Sequence, residues 1–266
     1  MPLAVCATPI GNLEDVTLRV LREFAETDVV LAEDTRHTRG LLERHGIRAR
    51  LLSYHEHNEA KRTAELLPRL QAGERLALVT DAGLPGISDP GARLVAAALE
   101  AGVPVTVLPG PSAVETALVA SGLVGERYQF LGYLPRGERA LAELGEELAR
   151  WPWPVVAFES PQRLPRSLAA LARVVPKRSS AVCRELTKRH EEVVRGTLSE
   201  LAERFAEPPR GEVTLVLGAA EAAADEPAAL AAVGELVEAG LARKQAAELV
   251  SRLTGVARNT LYRSSL

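Results

Sequence analysis

Cysteine, methionine and aromatic residues are scarce in this sequence: its 266 residues include two cysteines and one methionine, and 4% are aromatic. Cys6 and Cys183 lie in apolar, strand-like stretches, so we expect reduced thiols in a core, without a disulfide framework or a metal site. No apolar run approaches the roughly 20 residues of a membrane helix. The first residues lack the basic region and cleavage site of a signal peptide. We therefore expect a cytoplasmic protein that makes no membrane contact.

Several common ligand-binding and catalytic motifs are also missing. The first strand-like stretch leads into TPIGN (residues 8–12), where a dinucleotide-binding unit would have G-x-G-x-x-G. The sequence contains neither a phosphate-binding P-loop nor the G-x-S-x-G elbow of serine hydrolases. His55 and His57 are close to each other, but no cysteine pair is near them, so the spacing does not fit zinc. We expect no metal.

Charge is nearly balanced, with a net charge of −3 and a pI of about 6.0. A protein that is not a polycation contacts nucleic acid only through local basic patches. The C-terminal end is such a candidate, because residues 243–253 and 256–266 have two short helical patterns rich in arginine and lysine. This tail is predicted either to bind RNA or to be a solvated helical face.

Alternating strand and helix patterns organise the N-terminal half. Strands are predicted at residues 3–8, 29–32, 51–54, 75–80 and 103–108. This alternation predicts an α/β lobe with a parallel sheet and helices on both faces. Further along, strands follow one another with few helices between them, which favours a mixed-sheet α+β lobe. We expect lobes at residues 1–114 and 115–220, and a linker with a small basic helical extension at 221–266.

The stretch at residues 76–91 carries the strongest sign of a binding site, since a buried strand leads through a Gly/Pro-rich loop into a helix. Sheets of α/β proteins hold ligands at such strand ends. Glycines allow close backbone approach to a ligand, prolines stiffen the loop, and Asp81 faces the expected crevice. The alternative is an ordinary turn in which Asp89 caps the next helix.

Nine ordered segments together resemble the tetrapyrrole-methylase superfamily of S-adenosylmethionine enzymes. They are ATPIGNLED (7–15), LAEDTRHTRGLL (31–42), SYHEHNE (53–59), VTDAGLPGISDPG (79–91), VLPGPSA (107–113), FLGYLPR (130–136), FESPQRL (158–164), RELTKRHEE (184–192) and GEVTLVLG (211–218). The chain is similar to the branch of the superfamily that methylates a cytidine 2′-hydroxyl in 16S rRNA. The basic tail also looks like the C-terminal extension of that branch.

The resemblance implies a two-lobed tetrapyrrole-methylase-like fold with S-adenosylmethionine in the cleft between the lobes. It also implies a homodimer whose substrate is 16S rRNA within the 30S subunit. The cofactor-binding residues that it implies are Pro9, Asp81, Ala82, Gly83, Ile87, Ser112, Leu131, Phe158, Gly211, Glu212 and Val213. In this interpretation Asp81 balances the ammonium or sulfonium charge.

Polar segments at the strand ends supply candidates for the chemistry and for RNA contacts. A ribose hydroxyl is a weak acid, so its methylation benefits from a proton acceptor. The candidate acceptors are Asp34, His55, Glu56 and His57. Predicted RNA contacts, in which cations hold phosphates and tyrosine stacks a base, are Arg36, Arg39, Tyr133, Arg136, Lys188, Arg243, Lys244, Arg258 and Arg263.

Two alternatives to RNA methylation stay open. The first is a small-molecule methylase of the same fold that acts on a corrinoid or porphyrin-type ring. The basic tail and the polar segments argue against it, because a large apolar ring favours a more apolar mouth. The second is a non-catalytic RNA-binding module, which would bind RNA without the cofactor but gives no reason for the Gly/Pro-rich loops.

Overall fold

The computed structural model describes residues 2–220, 226–254 and 256–264. The first part contains β1 (Leu3–Cys6), α1 (Leu18–Glu26), β2 (Val29–Ala32), α2 (Thr35–Arg44), β3 (Leu51–Ser53), α3 (Glu59–Gln71), β4 (Leu76–Val79), α4 (Ala92–Glu100), β5 (Val105–Leu108) and α5 (Ala113–Ser121). The second part contains β6 (Gln129–Tyr133), α6 (Glu138–Arg150), β7 (Val155–Glu159), α7 (Leu164–Val174), β8 (Ser179–Arg184), β9 (Glu192–Thr197), α8 (Leu198–Arg204) and β10 (Val213–Leu217). Three helices follow, namely α9 (Glu226–Glu238), α10 (Arg243–Thr254) and α11 (Arg258–Ser264).

The first sheet has the strand order β3-β2-β4-β1-β5, and all of its pairs are parallel. Alternate residues of β4 face opposite cores, as expected for a strand buried on both sides. Leu76 and Leu78 pack with α3 and α4, whereas Ala77 and Val79 pack with α1 and α2. The predicted α/β lobe is confirmed, and its parallel strands bring their carboxyl ends to one edge of the sheet.

The second sheet has the order β6-β7-β10-β8-β9 and is mixed, as predicted. Strands β6 and β7 are parallel, whereas β10 runs antiparallel to both β7 and β8. Helices α6, α7 and α8 contribute to the core on one face. The other face packs against α5 and against Ile10, which comes from the loop after β1. This shared core joins the two sheets, and α5 spans the predicted lobe boundary near residue 114.

A buried arginine connects the ends of several elements in the second lobe. Arg178 donates hydrogen bonds to the carbonyl oxygens of Leu148, Trp151, Trp153 and Gly218. Burial lowers the pKa of the Arg178 guanidinium. These carbonyls would lack their charged donor without this side chain.

Arg178→Met is therefore expected to lower the free energy of unfolding by about 1–3 kcal/mol, because buried carbonyl groups lose a charged donor. Urea unfolding followed by circular dichroism measures this change. Arg139→Met is the matched control, since the Arg139 side chain is 93% exposed on α6. Equal stability of the two variants would contradict the assigned role of Arg178.

The C-terminal helices form a small core of their own. Residues 221–266 were predicted to form a linker and a small helical extension, and α9, α10 and α11 cover most of the described part of that range. Ala229 and Val233 of α9 pack against Val250 of α10 and Leu261 of α11. Residues 221–225 of the predicted linker lie outside the described residues. No helix in the described ranges is long and apolar enough to span a membrane.

Candidate active site

A cavity of about 650 Å³ is lined by residues of both lobes. Its walls include the loop after β4, the start of α5, the end of β7 and the start of β10. The volume lies within the range of roughly 300–1,000 Å³ that is usual for small-molecule sites. The strand-end loops of the first sheet thus face the second lobe across this cavity.

The structure brings together most of the predicted cofactor-binding residues. The lining includes Asp81, Ala82, Gly83, Ile87, Ser112, Phe158, Gly211, Glu212 and Val213, but not Pro9 or Leu131. Leu131 packs against the core on the far face of the second sheet. Its neighbour Phe130 stacks edge-to-face on Phe158 at 4.9 Å. Because adjacent side chains of a strand point to opposite faces, Leu131 points away from the face on which Phe130 and Phe158 lie. The binding role of these residues stays a prediction.

Gly83, in the loop after β4, uses its backbone groups for contacts within the protein. Gly83 has φ +81°, and its backbone N–H and C=O both bond to Thr8, at 3.1 and 2.9 Å. These two groups of Gly83 are therefore occupied by the loop after β1, in contrast to the expected approach to a ligand.

Helix α4 has Gly91 at its N-cap position without a side-chain cap, so the interpretation of Asp89 as the helix cap is wrong.

The charged side chains that line the cavity are all acidic. They are Glu33, Asp81, Asp89, Glu159 and Glu212. Glu159 pairs with Arg163 at 2.5 Å, and Glu212 pairs with Lys188 at 2.9 Å. For the other three carboxylates, no lysine or arginine of the described ranges lies within ion-pair distance. The cavity therefore carries uncompensated negative charge.

This carboxylate cluster shifts the acidity of its members. Burial, together with the charges of Glu33 and Asp81, raises the pKa of Asp89 to about 6. Burial likewise raises the pKa of Asp81. Glu33 accepts a hydrogen bond of 2.6 Å from the Thr80 hydroxyl, which fixes its carboxylate beside the strand end. A ligand with positive charge suits such a site. The described residues contain no group of three or more His, Cys, Asp or Glu side chains that could hold a metal ion.

Asp34 lies beside the cavity, but its carboxylate is engaged. It caps α2 by accepting a 2.8 Å bond from the backbone N–H of Arg36, and it pairs with the Arg36 guanidinium at 2.7 Å. These contacts hold the pKa of Asp34 well below its usual range. Its backbone N–H donates to the Asp81 carboxylate at 3.1 Å. Asp34 therefore positions Asp81 by this bond.

The other candidate proton acceptors do not line the cavity. His55, Glu56 and His57 follow β3, the edge strand, which β2 separates from β4. The imidazole Nε2 of His55 accepts from the Asn58 amide at 3.0 Å, and its Nδ1 is buried without a hydrogen-bond partner in the described part of the chain. Their catalytic role stays a prediction. The structure adds Asp89 as a site residue, and its place in the same Gly/Pro-rich loop as Asp81 was the available signal.

The predicted RNA contacts lie on several different elements. Tyr133 lines the cavity, is 61% exposed and stacks edge-to-face on Phe158 at 5.7 Å. Lys188 reaches the cavity wall through Glu212. The remaining ones are Arg36 and Arg39 on α2, Arg136 after β6, and Arg243, Lys244, Arg258 and Arg263 on α10 and α11. Their role in RNA binding stays a prediction.

A family model described as Tetrapyrrole (Corrin/Porphyrin) Methylases matches residues 2–202. The chain belongs to this family. Among its relatives, the ribosomal RNA small subunit methyltransferase I of Mesorhizobium japonicum is 45% identical over 99% of this chain and 91% of its own length. The protein of the same name from Micromonospora olivasterospora is 45% identical over 98% of this chain and 85% of its own length.

Solved structures of the family share the fold. A uroporphyrin-III C-methyltransferase from Thermus thermophilus, complexed with S-adenosylhomocysteine, is 22% identical and covers 81% of this chain and 96% of its own, with a TM-score of 0.57. The methyltransferase CobJ is 19% identical and covers 82% of this chain and 94% of its own, with a TM-score of 0.63. These similarities confirm the two-lobed tetrapyrrole-methylase fold.

Proposed function

We propose that this chain uses S-adenosylmethionine to methylate a cytidine 2′-hydroxyl in 16S rRNA. The observation that carries the proposal is the 45% identity, over almost the whole chain, to relatives named ribosomal RNA small subunit methyltransferase I. The acid-lined cavity of about 650 Å³ supports a cationic methyl donor. When bound, S-adenosylmethionine supplies a methyl group attached to a positively charged sulfur. The neutral thioether that remains after methyl transfer is a good leaving group.

The residues of the chain then have to bind the cofactor and the RNA, align the ribose oxygen with the methyl group, and remove the proton of the hydroxyl. Asp81 balances positive charge in the cavity, and apolar side chains such as Phe158 and Val213 exclude water from it. Tyr133 offers an exposed ring at the cavity, on which a base can stack. Alignment of the ribose oxygen with the methyl group supplies a large share of the rate, and a proton acceptor adds to it.

The proposal includes the assembly in which the chain works. We infer a homodimer that acts on the 30S subunit in the cytoplasm. Strand β5 is an edge strand of the first sheet, and Val107 on it is 50% exposed. Val119 on α5 is 69% exposed. Apolar surface of this kind supports a second copy as its cover.

Incubation with tritiated S-adenosylmethionine and three substrates tests the activity. The substrates are 30S subunits, naked 16S rRNA and a porphyrin-type tetrapyrrole. We expect label in the RNA, at a position where alkaline hydrolysis is blocked because the 2′-oxygen is methylated. Label in the tetrapyrrole alone would favour the small-molecule methylase. RNA binding without label, and without dependence on the cofactor, would favour the non-catalytic module.

The tail has a separate expected effect on RNA binding. The triple variant Lys244→Gln, Arg258→Gln, Arg263→Gln removes charges from exposed positions of α10 and α11. If all three contact phosphates, the slope of log affinity against log salt concentration should decrease by about 2–3. Filter binding of 16S rRNA over a salt series measures this slope. Affinity for S-adenosylmethionine should stay the same, and an unchanged slope would favour the alternative that the tail is a solvated helical face.

A further inference from the structure

We propose that a second, basic cleft beside the cavity holds the RNA phosphate backbone next to the target nucleotide. This inference rests on the proposed function. The cleft has a volume of about 570 Å³ and is lined by residues of the loop after β1, the end of α2 and the loop after β8. Its charged side chains are Arg44, Lys188 and Arg189 against one acid, Glu14. Its charge is thus opposite in sign to that of the cavity.

The cleft and the cavity are adjacent along two chain segments. Ile10 lines the cavity, and the next residue, Gly11, lines the cleft. Leu186 lines the cavity, and the next residue, Thr187, lines the cleft. Consecutive Cα atoms are about 3.8 Å apart, so the two spaces share these segments as a common wall.

An ion-pair network forms another part of that wall. The Lys188 ammonium lies 2.9 Å from the carboxylate of Glu212, which lines the cavity, and 3.0 Å from that of Glu185. The Glu185 carboxylate also accepts a 3.0 Å bond from the backbone N–H of Glu212. Lys188 is therefore held at a fixed position between the two spaces.

The loops that form the cleft fit each other closely. The Thr187 hydroxyl accepts a 3.0 Å bond from the backbone N–H of Asn12, and Thr187 itself has the uncommon φ of +63°. A Cβ atom on Gly11 would lie 2.5 Å from Cγ of Lys188, so this contact requires glycine. Strained backbone that the surroundings enforce is typical of functional sites.

Two arginines of the cleft are available to a ligand. Arg44 has Glu14 at 3.7 Å, but the two side chains are 61% and 77% exposed, so water weakens this pair. Arg189 is exposed, and no carboxylate of the described ranges lies within ion-pair distance of it. Guanidinium groups bind phosphate through paired hydrogen bonds. A backbone phosphate in the cleft would place the adjoining ribose at the mouth of the cavity.

The variant Arg44→Ala/Arg189→Ala tests the inference in the full-length protein. We expect affinity for 16S rRNA to fall about tenfold at moderate salt, and the salt slope to decrease by about 1.4–1.8, as for two lost phosphate contacts. Affinity for S-adenosylmethionine, measured by calorimetry, should be unchanged. The double variant Arg44→Lys/Arg189→Lys should keep most of the salt slope, because it keeps the charge.

A control of equal charge is Arg139→Ala/Arg173→Ala, on α6 and α7, which pack on the far face of the second sheet. This control should bind RNA like the wild type. An equal loss in the control and the cleft variant would overturn the inference, since overall charge would then explain both. An unchanged salt slope in the cleft variant would also overturn it, while the proposed function would stand if the wild type methylates RNA. Failure of the wild type to methylate RNA would instead contradict the proposed function.

Discussion

Asp81→Asn is expected to weaken S-adenosylmethionine binding by about 10- to 100-fold. Asp81 lines the acidic cavity, has no lysine or arginine partner within ion-pair distance in the described ranges, and is partly buried. Hydrogen bonds to charged groups contribute roughly 1.5–3 kcal/mol, and asparagine removes the charge while keeping the shape. The asparagine oxygen can still accept the 3.1 Å bond from the Asp34 backbone N–H. Isothermal titration calorimetry measures the change in affinity.

The same titration with S-adenosylhomocysteine shows which positive charge Asp81 balances. S-adenosylhomocysteine keeps the ammonium group but lacks the sulfonium charge. A larger loss for S-adenosylmethionine would assign Asp81 to the sulfonium, and equal losses would assign it to the ammonium. Glu212→Gln is the matched control, because Lys188 already compensates Glu212, and we expect a smaller effect. Unchanged affinities in the Asp81 variant would contradict charge complementarity as the basis of binding.

The cavity could be predicted from the sequence because its walls are short segments that follow predicted strands. The stretch from residue 76 to residue 91 identified Asp81 through its local pattern, whereas Gly83 was implied by the family resemblance, and both line the cavity. The contacts of the Asp34 carboxylate with Arg36 could also be predicted from the sequence, because an Asp before a helix is a typical N-cap and Arg36 is two residues away. Local signals of this kind need no knowledge of the tertiary fold.

The remaining parts of the site depend on contacts that no local pattern contains. The raised pKa of Asp89 depends on its burial and on Glu33, which follows β2 and lies near the loop after β4. The distance of His55 from the cavity follows from the strand order, which places β3 at the edge of the sheet. A chain of alternating strands and helices is compatible with several strand orders. The basic cleft likewise arises where segments near residues 11, 44 and 188 meet.

Asp89→Asn is expected to lower the rate of methyl transfer by about 100-fold, a typical contribution of a proton acceptor. Asp89 lines the cavity, and its pKa of about 6 makes it a stronger base than an ordinary carboxylate. Asparagine cannot accept the proton of the ribose hydroxyl. Single-turnover methylation of 16S rRNA, at saturating S-adenosylmethionine and RNA, measures the chemical step apart from binding.

We expect the rate of methylation to fall at low pH. Proton removal needs the ionised carboxylate, so the wild-type rate should fall about tenfold per pH unit on an acidic limb at about pH 6 or lower, because a bound cation in the cavity would lower the pKa of Asp89. This acidic limb should disappear in Asp89→Asn. Since the folded-state pKa of Asp89 is raised from the ordinary value of 3.8 to about 6, its ionisation lowers stability progressively between these pH values, and the full loss persists at neutral pH. The variant should therefore be no less stable than the wild type at neutral pH, and unfolding would not explain a loss of rate.

Alanine variants of Asp34, His55, Glu56 and His57 complete the comparison, because each stays a predicted proton acceptor. A histidine acceptor would also give an acidic limb, but that limb would disappear in the histidine variant and persist in Asp89→Asn. We expect the largest loss at Asp89, since the Asp34 carboxylate is bound by Arg36 and the other three residues lie outside the cavity lining. If all five variants react at nearly the wild-type rate, none of these groups assists proton removal. Alignment of the ribose oxygen with the methyl group would then be the main source of the rate, with the proton passing to water.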